Sequence, residues 1–233
     1  MMISNKTKNS TTGYPTFTHL EEKQIAELET INEDNRRLYV TPEGTKYPSV
    51  TTVLGWSKQK SIQEWRKRVG EEAANKISRK ASTRGTKFHY QVEDYLNNKE
   101  VSFETPYQKE LFTSVQDYLN RINNIHLQEK TLYSDFLKTA GRVDCIAEYE
   151  GRLSVIDFKT SSKPKEEKYI TDYFMQGSAY AVMYEERTGI PIDTIVIIMA
   201  VDGYEPQLFK VKRDDYIDGY REVRKKYEEV FKV

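Results

Sequence analysis

The chain holds a single cysteine, Cys145, among its 233 residues. One cysteine excludes an internal disulfide framework and any four-cysteine zinc or iron–sulfur site. Net charge is missing too, because 36 Lys and Arg balance 36 Asp and Glu. A uniformly basic coat is therefore ruled out, while a basic face offset by an acidic one is not. No run approaches the ~18 apolar residues of a membrane span. No apolar segment opens the chain as a secretory signal would, and the Arg-rich pattern of a transit peptide is absent. There is also no Gly-x-x-x-x-Gly-Lys-Ser/Thr phosphate loop. A cytoplasmic protein with no membrane partner and no motor of its own is the expectation.

What the chain does have is large side chains for a core: 17 Tyr, 9 Phe and 2 Trp. Residues 1–13 are polar and without periodicity, and read as a tail. Residues 37–40 and 45–50 flank Thr41-Pro42-Glu43-Gly44, which is turn chemistry and predicts a hairpin. Ser49 is placed to cap a helix over 50–57. A helical pattern runs from 61 to 97 with a break near Ser82-Thr83-Arg84-Gly85, and a second helix is expected over 106–124. The period then changes to two, giving strands over 129–136, 141–149 and 152–160. Helix returns over 168–187. Residues 193–201 form a β-branched run suited to a strand buried on both faces. A strand over 206–212 and a charged helix over 213–231 complete the order. The fold class is α/β, with a helical lobe on the N-terminal side of a sheet.

The segment 141–161, GRVDCIAEYEGRLSVIDFKTS, carries the sharpest signal. If the loop at Glu150-Gly151 is two residues long, Tyr149 faces Arg152; a three-residue loop with a bulge would shift the register, and Glu is not a favoured residue in the tight turn. The same register sets Asp144 opposite Asp157 and Arg142 opposite Lys159. By alternation, Val143, Cys145, Ala147, Ser154, Ile156 and Phe158 share an apolar face. Asp144, Asp157 and Lys159 fall on the other. Two carboxylates at ~5 Å and an effective dielectric near 20 repel by roughly 3 kcal/mol. A divalent cation reverses that sign, and hard oxygen ligands suit magnesium or manganese. A lysine on the same side can hold a water or a phosphate oxygen, which is the equipment of phosphodiester hydrolysis. The same four charged residues also fit a surface ion-pair cluster.

These residues resemble the core of the PD-(D/E)xK nuclease superfamily, in its RecB-like branch. Within that branch the chain is similar to the mitochondrial genome maintenance exonuclease group and phage exonucleases. YPSVTTVL (47–54), GTKFHYQVEDYL (85–96), Gly141…Asp144 with Asp157-x-Lys159, and QGSAYAVMY (176–184) match it in order. The resemblance implies a restriction-endonuclease-like core with a central mixed β-sheet flanked by helices. It implies one nuclease domain over 14–233, with the hairpin and helical lobe at 37–125 and the catalytic sheet and helices at 126–233. It implies that His89, Asp144, Asp157 and Phe158 bind Mg2+ or Mn2+, and that Lys159 is the catalytic lysine beside the two acids. Gln176 and Tyr180 are then the helix motif over the scissile phosphate, and Glu129 an auxiliary acid. Glu93 shares a helix face with His89 and joins it as auxiliary. Cluster-bearing members of the branch carry four cysteines, so no iron–sulfur cluster is expected here.

Residues 58–87 hold ten Lys or Arg against three acids. Basic side chains track phosphates and aromatic faces stack bases. Trp56, Trp65, Arg66, Lys67, Arg84 and Lys87 are thus candidates for nucleic-acid binding. Ser49 and Thr51 join them at a helix N-terminus that would accept a phosphate, or simply cap itself. The resemblance implies a metal-dependent DNA exonuclease acting on single-stranded DNA or ends, from a phage or bacterium, with replication or recombination proteins as partners. A structure-specific or restriction-like endonuclease is the nearest alternative. A non-catalytic nucleic-acid-binding module of the same fold is the other.

Overall fold

The structure is a computed structural model that describes residue 13 and residues 15–20, 25–33 and 36–232. The expected polar tail at 1–13 lies, Gly13 apart, outside the described residues. Three short strands come first: β1 (Glu29–Glu33), β2 (Arg36–Val40) and β3 (Lys46–Pro48), paired antiparallel in that order. The β2–β3 turn is the predicted one, closed by Thr41 N–H to Thr45 O at 2.8 Å. Helices α1 (Val50–Ser57), α2 (Gln59–Val69), α3 (Glu71–Leu96) and α4 (Pro106–Leu119) follow.

The second sheet has five strands: β4 (Ile122–Ser134), β5 (Thr139–Tyr149), β6 (Arg152–Ser161), β7 (Thr194–Val201) and β8 (Gln207–Lys212). They lie in sequence order, and all neighbours are antiparallel except β6 and β7. The parallel pair requires a crossover, supplied by α5 (Thr171–Thr188). Helix α6 (Ile217–Phe231) ends the described chain. The result is a mixed sheet between two helical layers. Ile195, Ile197 and Met199 of β7 pack under α1, α5 and α6, while Val196, Ile198 and Ala200 pack under α3 and α4. Burial on both faces is why this strand reads as an unbroken apolar run. No helix among the described residues is long and apolar enough to cross a membrane.

Strand β1 is not among the expected elements, the strand expected over 129–136 runs from Ile122 to Ser134, and two helix boundaries also differ from the sequence reading. The break in the long helical stretch falls at Gly70, whose φ of 86° only glycine adopts without strain. Residues 82–85 stay helical, and the helix passes close to β6 there, with a Cβ at Gly85 reaching 4.0 Å from Thr160 Oγ1. The helix expected over 106–124 stops at Leu119, because Ile122 pairs with Tyr149 at the start of β4. Ile122 keeps the helical spacing from Tyr118 but is buried as a strand residue.

Candidate active site

The β5–β6 loop has the two-residue form expected, with both central residues left-handed: Glu150 at φ 52° and Gly151 at φ 82°. The strain at Glu150 is offset by Arg121, 3.0 Å from its carboxylate, and by Lys210. Pairing runs from Tyr149–Arg152 to Cys145–Ile156, in the predicted register. The ladder then ends. Beyond it, Asp144 Oδ2 accepts the Phe158 N–H at 3.0 Å, so a side chain takes up a backbone donor where the strands part.

The strand on the other side of β5 is irregular at the same level. Leu127 and Leu132 of β4 enter one core cluster although five residues apart, and Val143 and Ile146 of β5 do so three apart. Odd separations on one face mean that the alternation has slipped. The slip falls at Glu129, which has φ 50°, and at Asp144 across from it. This corrects the expected faces. Val143 packs on the α5 side, apart from Cys145, Ala147, Ile156 and Phe158 on the α3 side.

Released from regular alternation, both acids meet α3. His89 Nδ1 lies 3.6 Å from Asp144 Oδ2 and 4.0 Å from Glu129 Oε1. One ligand-capable atom from each of His89, Glu129 and Asp144 lies within 4.8 Å of the others. Asp157 follows Val155 by two and lies toward α5, only 2 % exposed. The Lys159 ammonium sits 2.5 Å from its Oδ2. That contact is ionic rather than an aligned hydrogen bond, for neither Asp157 oxygen has an aligned donor among the described residues.

The electrostatics follow from this crowding. Burial pushes Asp157 up, Lys159 pulls it down, and Asp144 pushes it up again, with a raised value as the result. Burial alone would lower Lys159, but Asp157 and Asp144 more than compensate and raise it. Burial likewise opposes charge on His89, yet Asp144 and Glu129 carry it up to about 9. Glu93 is raised by partial burial and by Glu129 beside it. The pocket is thus rich in buried negative charge and draws protons to itself, which is the behaviour of a cation site.

Helix α5 roofs the site. Burial, then the charges of Asp144 and Asp157, hold the Tyr180 hydroxyl protonated well above its usual range, while Gln176, one turn earlier on α5, acts in the opposite direction. Gly141 makes room for this ring: a Cβ there would fall 2.7 Å from the Tyr180 hydroxyl oxygen. Phe158 buries its ring in the α3-side core, and its N–H is taken by Asp144, so its side chain is not a ligand.

The nucleic-acid candidates scatter. Ser49 is fully buried and its hydroxyl accepts from Thr52 N–H at 2.9 Å, so it serves as the cap of α1. Trp56 packs edge-on against Tyr227 at 5.6 Å and Phe231 at 6.3 Å, a structural place rather than a stacking platform. Thr51 is exposed and accepts from Arg37. Trp65 is half-buried and Lys67 exposed on α2. Arg66 ties α2 to α3 through Glu71 and Asn75. Lys87 pairs with Glu104. Arg84 donates to Thr160 Oγ1 at 3.1 Å, next to Lys159 in sequence. Lys76, Arg79, Lys80, Arg84 and Lys87 border a groove of about 720 Å3 floored by Phe88, Tyr107 and Leu111. Sequence reading missed Tyr173, whose ring centroid is 5.1 Å from the Lys159 nitrogen. The signal was present, since Tyr173, Gln176 and Tyr180 stand at helical steps of three and four.

Residues 54–202 match the PD-(D/E)XK nuclease superfamily. The chain belongs to that superfamily. Among curated relatives, mitochondrial genome maintenance exonuclease 1 of Xenopus tropicalis is 30% identical over 178 residues, 68% of this chain and 50% of the relative. The Homo sapiens protein of the same name is 32% identical over 129 residues, 51% of this chain and 38% of the relative. The chain thus spans half or less of the length of these relatives. A solved structure from Eubacterium rectale superposes with a TM-score of 0.46 at 13% identity, over 62% of this chain and 63% of that one. The superfamily match agrees with the mixed α/β architecture.

Proposed function

We propose that this chain is a divalent-metal-dependent deoxyribonuclease that works as an exonuclease on single-stranded DNA or strand ends. The observation that carries the reading is the parting of β5 and β6. Five groups of a hydrolytic centre meet there: His89, Glu129 and Asp144 in one cluster, the buried Asp157 without aligned donors, and Lys159 against it. Like charges are not gathered and buried for stability, since breaking even is the best a buried pair usually achieves. Asp144 and Asp157, with His89 and the Phe158 carbonyl, would hold the ion, and the buried Asp157 carboxylate, which meets Lys159 but no aligned donor, and the hard donor set fit Mg2+ or Mn2+. Bound there, such an ion supplies Lewis acidity toward the phosphate and a lowered water pKa. Lys159, kept protonated by Asp157 and Asp144, donates to the phosphate or to the attacking water. Gln176 and Tyr180 close the site from above and fix the strand over it.

The basic groove along α3 supports a phosphate-bearing strand as substrate, and Arg84 links that groove to β6 beside Lys159. The exonuclease names of the relatives favour ends over interior cuts. Digestion of end-labelled linear and covalently closed circular single strands with Mn2+ tests the reading, with Lys159→Ala and Asp157→Asn beside the wild type. Linear strands should shorten, circles should persist, and both variants and a chelator should stop the reaction. Cutting of circles would make it an endonuclease. Equal activity in all three proteins would remove the proposed site, and DNA bound but left intact would make it a binding module.

A further inference from the structure

Of the three α5 residues that face the site, Tyr173 has no part in the reading above. Its ring is approached by two ammonium groups. Lys159 Nζ is 5.1 Å from the centroid and Lys58 Nζ is 6.0 Å from it, both within the range of cation–π attraction. The two lysines differ in setting. The Lys159 side chain is 18% exposed, that of Lys58 43%. Lys58 stands at the junction of α1 and α2, the root of the basic helices, and its ammonium lies 2.6 Å from Asp172 Oδ2. Neighbouring residues of α5 therefore bind the arm and the lysine of the site.

Asp157 by itself is a poor positioner for Lys159. The pair is close but not aligned, and nothing in a single ionic contact keeps the ammonium from turning fully onto the carboxylate. A ring face on another side supplies a second attraction without accepting the proton. Tyr173 is mostly buried, which keeps water from screening that attraction. We propose that Tyr173 is a positioning residue: its ring holds Lys159 toward the reacting phosphate and Lys58 toward the adjacent phosphate of the same strand. The inference rests on the nuclease reading, and it assigns the effect to the ring's π face and not to its hydroxyl.

The test is steady-state cleavage of an end-labelled oligonucleotide by wild type, Tyr173→Phe, Tyr173→Leu, Lys58→Gln and Asp157→Asn. Binding of the same oligonucleotide in chelator and the NMR shifts of lysine Nζ in metal-free protein accompany it. Tyr173→Phe should stay within about twofold of wild type in kcat, since it keeps the ring. Tyr173→Leu should lose about tenfold in kcat and shift the Lys159 resonance without metal. Lys58→Gln should raise KM and weaken metal-free binding several-fold, with a smaller effect on kcat than Tyr173→Leu. Should Tyr173→Leu fail to fold, Tyr173→Met refills the volume without a ring. Wild-type kcat and an unmoved Lys159 signal in the ringless variant would overturn the inference, as would Tyr173→Phe failing as badly as Tyr173→Leu. If Asp157→Asn also keeps full activity, the nuclease reading itself has failed. If Asp157→Asn is inactive and the ringless variant is not, only the role of Tyr173 has.

Discussion

The parting of β5 and β6 and the α2–α3 arm are both dense in charge, yet they hold it in opposite ways. At the parting, Asp157 is nearly sealed from water, Lys159 is largely covered beside it, and every charge is felt by its neighbours. On the arm, α2 has no buried residue and α3 buries only Ala74 before Phe88. Buried charge is costly and specific, so each group there has a defined partner and orientation. Exposed charge is screened within about 10 Å at 0.1 M salt and acts only as a sum. One region is built for the chemistry of a single phosphate, the other for holding many.

Substitutions sharpen this contrast, beginning with the largest effect. Asp144→Ala removes a member of the acid cluster and the acceptor of the Phe158 N–H together. Cleavage should fall by about 10³-fold, with Mn2+ binding lost by calorimetry. Replacing Lys76, Arg79 and Lys80 together by Gln should weaken oligonucleotide binding by roughly 30-fold or more at low salt and cut the slope of log Kd on log salt by about 2. Its melting temperature should barely move, since these side chains are exposed. An unchanged slope would break the comparison. Trp56→Ala should cost about 2 kcal/mol in denaturant unfolding, because the ring packs on Tyr227 and Phe231, and leave oligonucleotide affinity as it was. Gly141→Ala should cost about 1–2 kcal/mol and lower activity as well, by displacing Tyr180. Gly70→Ala should cost about 1 kcal/mol through its positive φ alone, with cleavage per folded molecule retained.

Much of the site was legible before any coordinates. The two-residue loop at Glu150-Gly151 set the register from Tyr149–Arg152 to Cys145–Ile156, but the pairing ends before Asp144 and Asp157, so their expected opposition on one face is not met: Asp144 turns to His89 of α3 and Asp157 lies toward α5. What the register missed was the slip at Glu129 and Asp144. A left-handed backbone at a glutamate has no local signature, and Val143 accordingly went to the wrong face. The same slip is what brings Glu129 into the cluster with His89. Among aromatic and hydroxyl candidates the errors run the other way. Trp56 and Ser49 lie near a basic stretch in sequence, but a ring or hydroxyl beside lysines looks the same whether it faces solvent or core. Packing against α6 and capping of α1 decided those two.

By itself the amino-acid order determined the strands and helices, the hairpin register and the set of charged residues that chemistry would need, because these follow from periods of two and 3.6 and from turn chemistry close in the chain. Only the tertiary structure decided which of those charges are buried together. Burial depends on what α3 and α5 lay over the sheet; it raises Asp157, while the carboxylates it gathers raise Lys159 and His89 against their own desolvation.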